Sequence, residues 1–257
     1  NLGGSGLRVS AVGLGCNNFG QRTDLETSRK VIHKAIDLGI TLFDTADIYA
    51  GRGGSETVLG DVLGDRRKDI VLATKYCKPM SDDGTKQGAS RRYIMNAVED
   101  SLRRLKTDYI DLYQQHDFDP LTPIEETLRA LEDLIRQGKV RYIGCSNFPA
   151  WRIAEAQFTA RGINTHAFVS CQDEYSLIVR DNEKDLFPAA QAYNLGILPF
   201  FPLASGLLTG KYKRGEAAPA DTRFAKAPAL LNRYMSETNL DIVQKLQEFA
   251  NAHGKRS

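Results

Sequence analysis

The sequence predicts an α/β fold of the (β/α)8 TIM-barrel class, opened by an N-terminal β-hairpin and stopping before the eighth strand. Three observations predict it. Short apolar runs alternate with longer segments of helical spacing, seven of each, which implies a mostly parallel sheet with helical crossovers. The strand ends recur at near-even intervals, which favours a barrel over an open doubly wound sheet. No Pro/Ser/Gly-rich linker divides the 257 residues, a length that single α/β barrels reach. One barrel domain over 1–257 is therefore expected.

The elements justify themselves in order. Leu2–Ser10 carries Gly3, Gly4 and Gly6 at a tight turn and reads as a hairpin. The strands are expected at Ala11–Cys16, Thr41–Asp44, Ile70–Lys75, Ile110–His116, Val140–Ser146, Phe168–Gln172 and Ile197–Phe201. Between and after them lie helices at about Leu25–Leu38, Ser55–Leu63, Arg91–Lys106, Pro123–Gln137, Ala150–Ala160, Lys184–Tyr193 and Leu240–Ala252. Gly39, Gly138, Gly162 and Gly196 stand where helices should stop, because glycine accepts the left-handed conformation that closes a helix. Pro123 suits a first helical position, where its missing N–H costs nothing. Lys213–Thr238 has no clear periodicity and reads as a long functional loop. The chain begins at Asn1 and stops at Ser257 with no further apolar run, so a fragment lacking the last strand is expected.

Composition excludes several classes. Hydrophobic residues make up 42% and charged residues 26%, with a net charge of +2. No dense Lys/Arg tract points to nucleic acid. No apolar run approaches the roughly 18 residues that span a bilayer, and no signal peptide is visible. Cys16, Cys77, Cys145 and Cys171 form no CxxC and lack histidine neighbours at metal-ligand spacing. They read as reduced thiols of a cytoplasmic protein, with no metal.

The chemistry lies where the runs end. Asp44, Lys75, His116, the pair Ser146 and Asn147, and Gln172 close five consecutive strands. Barrel enzymes build their active sites on that C-terminal face. Tyr49 follows Asp44 in the loop leaving the same strand. A free phenol, with a pKa near 10, is a poor acid at neutral pH. A neighbouring ammonium favours the phenolate and should lower that pKa. Asp44, Lys75 and Tyr49 therefore read as a relay that makes the phenol a proton donor, with His116 holding the substrate oxygen. Proton delivery to a carbonyl oxygen pairs with hydride delivery to its carbon.

Three stretches carry a resemblance: Phe43-Asp-Thr-Ala-Asp-Ile-Tyr49, Gly138-Lys-Val-Arg-Tyr-Ile-Gly-Cys-Ser-Asn-Phe148 and Phe201-Pro-Leu-Ala-Ser-Gly-Leu-Leu-Thr-Gly-Lys-Tyr212. Together they resemble the aldo-keto reductase family, and the similarity runs the length of the chain. The resemblance implies NADPH-dependent reduction of a small-molecule aldehyde or ketone, with Tyr49 as acid and Asp44, Lys75 and His116 as its partners. It implies that Ser146, Asn147 and Gln172 hold the nicotinamide, that Phe200 stacks on it, and that Leu203, Ser205, Lys211 and Arg223 wrap the pyrophosphate. Gly15, Cys16 and Asn17, with Asp44, would lie beside the cofactor. Family members carry a further strand and a segment that grips the adenosine 2′-phosphate, neither of which this sequence holds. The choice of NADP over NAD therefore rests on family habit.

Other readings stand beside this one. His33, His166 and His253 read as structural. Gly13-Leu-Gly15 with Gly20 has the wrong spacing for a dinucleotide fingerprint, and Gly206–Lys211 is one residue short of a phosphate loop. Gly51–Gly54 reads as a flexible turn leading into the helix at Ser55. The runner-up function is a regulatory subunit resembling the potassium-channel beta subunits of the same family. A third is an unrelated barrel enzyme using Lys75 as a Schiff base.

Overall fold

The computed structural model describes residues 1–255. They fall into two compact units, one of Asn1–Gln172 with Asp185–Leu198, the other of Asp173–Lys184 with Pro199 onward. The strands are β1 (Leu14–Gly15), β2 (Leu42–Asp44), β3 (Val71–Tyr76), β4 (Ile110–Gln115), β5 (Val140–Ser146), β6 (Ser170–Glu174) and β7 (Gly196–Phe200). They form one sheet in sequence order, and each ladder from β1 to β6 is parallel. A parallel neighbour relation with a helix between strands is the topology of the (β/α)8 class.

The helices that cross between strands are α1 (Leu25–Asp37), α2 (Tyr49–Leu63), α3 (Arg91–Leu105), α4 (Ile124–Arg136), α5 (Ala150–Gly162) and α6 (Leu186–Ala192). Their starts are chemically marked: Asp24 accepts the Thr27 N–H at 2.7 Å, and Ser90 accepts that of Tyr93. Their ends divide. Gly39 and Gly138 take φ of 79° and 74°. Gly162 does not: α5 runs through it and Asn164 adopts the left-handed turn at φ 56°. Gly196 opens β7 instead, with Asn194 turning before it at φ 57°. A Cβ at Gly196 would lie 2.5 Å from the Leu2 side chain, so close approach is what demands glycine there. Asparagine tolerates left-handed backbone and takes the capping role at both ends. Pro123 caps α4 rather than entering it.

Strand alternation sorts the side chains. Phe43, Leu72, Tyr76, Tyr113, Ile143, Cys145 and Cys171 lie in the large buried cluster with Ile32, Leu59, Val98 and Leu131 of the helices. The alternate positions Leu42, Ala73 and Leu112 form a separate cluster with Leu2. Two residues further along that second face come Asp44, Lys75 and Gln114. At the opposite ends of the strands, Arg67 donates to Asp111 at 2.8 Å and to the carbonyls of Tyr109 and Ile70. The Arg67 and Arg141 guanidinium groups also lie over the Tyr109 ring.

Two expectations change and one stands. Leu2–Ser10 doubles back through a bond from Leu2 N–H to the Leu7 carbonyl, without paired strands. The helix expected from Ser55 follows the turn expected before it: Ala50, Gly51, Arg52 and Gly53 are left-handed, so within the bounds of α2 the right-handed helix starts only after Gly53. The long loop 213–238 holds α7 (Arg223–Lys226), α8 (Pro228–Tyr234) and the first residues of α9 (Glu237–Ala252). Short apolar patches, too brief to show a period, pack Phe224 and Tyr234 beside Tyr212 and Leu240. Among the described residues no helix is long and apolar enough to cross a membrane.

Candidate active site

The polar positions of the inward face converge on Asp44. Its Oδ2 accepts the Lys75 Nζ at 2.6 Å, and its Oδ1 accepts Gln172 Nε2 at 3.0 Å and Gln114 Nε2 at 3.2 Å. Lys75, fully buried, also donates to the Thr45 carbonyl at 2.8 Å. The ammonium lies 5.3 Å from the centre of the Tyr49 ring, which meets His116 edge-on at 5.7 Å and 86°. One anion, one cation, a phenol and an imidazole thus share a single cluster, delivered by β2, β3, β4 and the start of α2.

Burial governs the protonation of this cluster. Burial alone would lower the Lys75 pKa, but Asp44 and then Tyr49 outweigh it, so the ammonium holds its proton more firmly than usual. Burial raises the Tyr49 phenol, and the Lys75 ammonium recovers only part of that rise. The sequence expectation of a lowered phenol pKa is therefore corrected: the cost of burying a phenolate exceeds the help of one cation already paired to Asp44. His116 is pushed down to about 2 by burial, then by Lys75 and Lys78, and so stays neutral. Its Nδ1 is buried without a hydrogen-bond partner.

The other residues singled out in the first unit gather near this cluster. Asn147, left-handed at φ 57°, donates from Nδ2 to the His116 carbonyl at 2.9 Å and to Ser146 Oγ at 3.0 Å. Its N–H donates to the Gln172 carbonyl, joining the ends of β5 and β6. Gly15 pairs with Asp44 in the sheet, and a Cβ there would meet nothing within 4 Å. The Cys16 N–H donates to the Asp44 carbonyl at 2.8 Å, and burial raises its thiol far above the ordinary value. Asn17 lies half-buried in the turn that follows.

The second unit holds the remaining candidates. Phe200 meets Phe201 edge-on at 5.3 Å, and Arg223 lies 5.6 Å over the Phe201 ring. Leu203 is exposed. Ala204, Ser205 and Gly206 are left-handed in succession. That turn brings the Lys211 ammonium to 3.1 Å from where a Gly206 Cβ would sit. The Ser205 hydroxyl is buried beside the Tyr234 phenol, on which it acts through a side-chain hydrogen bond. A run of left-handed residues beside an ammonium is a donor set that fits a phosphate-bearing ligand.

Sequence reasoning passed over four side chains. Gln114 was legible, since it lies two residues before His116 on the same strand face. Glu56, fully buried, binds Arg104 at 2.7 Å and accepts the Thr74 hydroxyl at 2.5 Å, a long-range link with no local signal. Asp47, in the turn between Asp44 and Tyr49, is 1% exposed. Asp173, whose carboxyl burial raises to about 7, sits within β6. All four cysteines are buried and outside any disulfide. Among the described residues no cluster of His, Cys, Asp and Glu is arranged to hold a metal.

Residues 11–257 match the profile of the Aldo/keto reductase family. Among curated relatives, "Uncharacterized oxidoreductase YrpG" of Bacillus subtilis (strain 168) is 41% identical over 96% of this chain and 78% of its own. "Putative voltage-gated potassium channel subunit beta" of Schizosaccharomyces pombe is 38% identical over 98% of this chain and 76% of its own. "Versiconal hemiacetal acetate reductase" of Aspergillus parasiticus is 33% identical over 98% of this chain and 80% of its own.

Proposed function

The chain belongs to the aldo/keto reductase family and is an oxidoreductase, and from that premise we propose that it reduces an aldehyde or ketone to an alcohol with NADPH. The observation that carries the reading is the Lys75 ammonium held between the Asp44 carboxylate and the Tyr49 ring, with His116 at that ring's edge. The nicotinamide supplies a hydride when bound. Tyr49, kept protonated by burial, gives its proton to the carbonyl oxygen, and the Lys75 ammonium stabilises the phenolate left behind. Asp44 aims that ammonium and offsets its burial. Neutral His116 offers a ring nitrogen to orient the substrate oxygen.

Ser146, Asn147 and Gln172 are assigned to the nicotinamide carboxamide, with Gly15, Cys16 and Asn17 beside it. Phe200 would stack on the ring, while Leu203, Ser205, Lys211 and Arg223 would wrap the pyrophosphate. The left-handed turn at Ala204, Ser205 and Gly206 beside the Lys211 ammonium supports the pyrophosphate assignment. NADPH rather than NADH is proposed on the family's habit, and the family match across both compact units supports reading the chain as one reductase domain. A small-molecule carbonyl in the cytoplasm is the proposed setting.

The test is carbonyl-dependent loss of NADPH absorbance by the purified protein across a panel of aldehydes and ketones. Tyr49→Phe should lose about 10²-fold or more in kcat while keeping NADPH affinity. An unchanged rate would remove Tyr49 from the role of acid. A second reading, a cofactor-binding regulatory subunit, takes its support from the relative named as a channel beta subunit. Capture of a stable membrane partner together with negligible turnover would favour it.

A further inference from the structure

We propose that Gln114 is a positioning residue for the reduction: a buried amide that fixes the Asp44 carboxylate and, through it, the aim of the Lys75 ammonium at the Tyr49 phenol. The inference rests on the reading of Tyr49 as the acid. Strand register brings Gln114 to the pair. On β4 it stands opposite Lys75 of β3 on one side and Gly144 of β5 on the other. Opposed residues of a sheet project to the same face, so the amide reaches the carboxylate that the ammonium reaches. Gln114 Nε2 donates to Asp44 Oδ1 at 3.2 Å, while Lys75 Nζ donates to Oδ2 at 2.6 Å. Lys75 is in turn hydrogen-bonded to the Tyr49 phenol. Amide, carboxylate, ammonium and phenol thus form one continuous chain. Gln114 is fully buried, so it acts on the reaction through Asp44 and not by touching a ligand.

The other end of the same amide argues against a purely structural role. Its Oε1 is buried without a hydrogen-bond partner. A buried amide kept for stability is satisfied at both ends, and an unpaired acceptor costs stability instead. Leu112, two residues earlier on the same face, packs in an apolar cluster, so an apolar side chain suits this row. Reversing the amide would set Oε1 against the Asp44 carboxylate, so the anion dictates its orientation. A Cβ at Gly144 would come within 3.3 Å of Gln114 Cγ, so the bare glycine leaves the stem its place. Gln172 also donates to Asp44 Oδ1, at 3.0 Å. That residue is assigned to the nicotinamide carboxamide as well, whereas Gln114 serves Asp44 alone.

The consequence follows from charge. The Asp44 carboxylate raises the pKa of both Lys75 and Tyr49. A donor on Oδ1 offsets part of that negative charge. Without it the carboxylate acts more strongly on the phenol, which then parts with its proton less readily.

Three measurements on the whole protein test this with Gln114→Met, which keeps the length of the side chain and removes the donor. First, kcat should fall about tenfold, the scale of one hydrogen bond to a charged group, with KM and NADPH affinity unchanged. Second, the urea midpoint should equal or exceed that of the wild type, because the unpaired acceptor is gone. Third, the Tyr49 ring carbon bearing the hydroxyl, followed by ¹³C NMR and assigned with Tyr49→Phe, should titrate at higher pH than in the wild type. Gln114→Leu repeats all three with a differently shaped side chain. An unchanged kcat, an unmoved Tyr49 titration, or a lower urea midpoint in both variants overturns the proposal. The urea and NMR arms need no turnover. A protein inactive on every carbonyl would sink the reductase reading, while those two arms still decide whether Gln114 acts on the chain that ends at Tyr49.

Discussion

At the scale of single residues, the Asp44–Lys75 pair is asymmetric, and the asymmetry is measurable. Lys75 is fully buried, whereas the Asp44 side chain is 20% exposed and keeps two amide donors besides the lysine. Asp44→Ala strands an ammonium in the interior, which costs on the order of 3–5 kcal/mol. Lys75→Met leaves a carboxylate that still has partners and some water, so it should cost distinctly less. Urea unfolding of the two variants compares them, and equal losses would contradict the burial seen here. His116 gives a pH signature. Its folded pKa, about 2, lies below its ordinary 6.5. Between those values the unfolded chain binds the extra proton, so the His116 contribution is complete above pH 6.5 and is lost as pH falls. His116→Gln should flatten the decline in melting temperature between pH 6.5 and 4. None of this could be read from residue types, because proximity of a cation predicted a lowered Tyr49 pKa and only the depth of the phenol reverses it.

At the scale of elements, the tightest constraint lies between α2 and α3. A Cβ added to Gly60 would sit 2.2 Å from the Arg104 carbonyl oxygen and 2.8 Å from the Leu105 carbonyl carbon. Gly60→Ala must push the two helices apart, at about 1–3 kcal/mol. The expected result is a lower urea midpoint with an unchanged slope; an unaffected midpoint would mean the helices separate freely. Elements were also where the sequence was most readable. Short apolar runs bounded by turn residues located all seven strands, whereas Gln114, two residues before His116 on the same strand face, was passed over although period-two spacing marks it. The stop signals at Gly162 and Gly196 misled because asparagines two residues away from each do the turning. Asp47 was hidden because a turn carboxylate is ordinarily solvated, and only packing by α3 makes it buried.

At the scale of the whole molecule, the two compact units differ in what holds them. The first contains the large cluster shared by strands and helices, while the second relies on a small cluster around Leu207, Tyr212, Phe224 and Tyr234. Within the second unit Glu174 receives Arg233 and the Tyr234 hydroxyl. Amide hydrogen exchange should show α7 and α8 opening at lower free energy than β3 to β5. Uniform protection across both would contradict that ranking. The sheet itself has two unlike ends. Asp44, Lys75 and His116 occupy one, and the Arg67–Asp111 bond with the stacked Tyr109 secures the other. Anchorage and the proposed chemistry therefore sit at opposite margins and share no side chain. A lineage could retune its substrate by rewriting the loops above the proposed catalytic cluster while the guanidinium clasp beneath keeps the staves aligned.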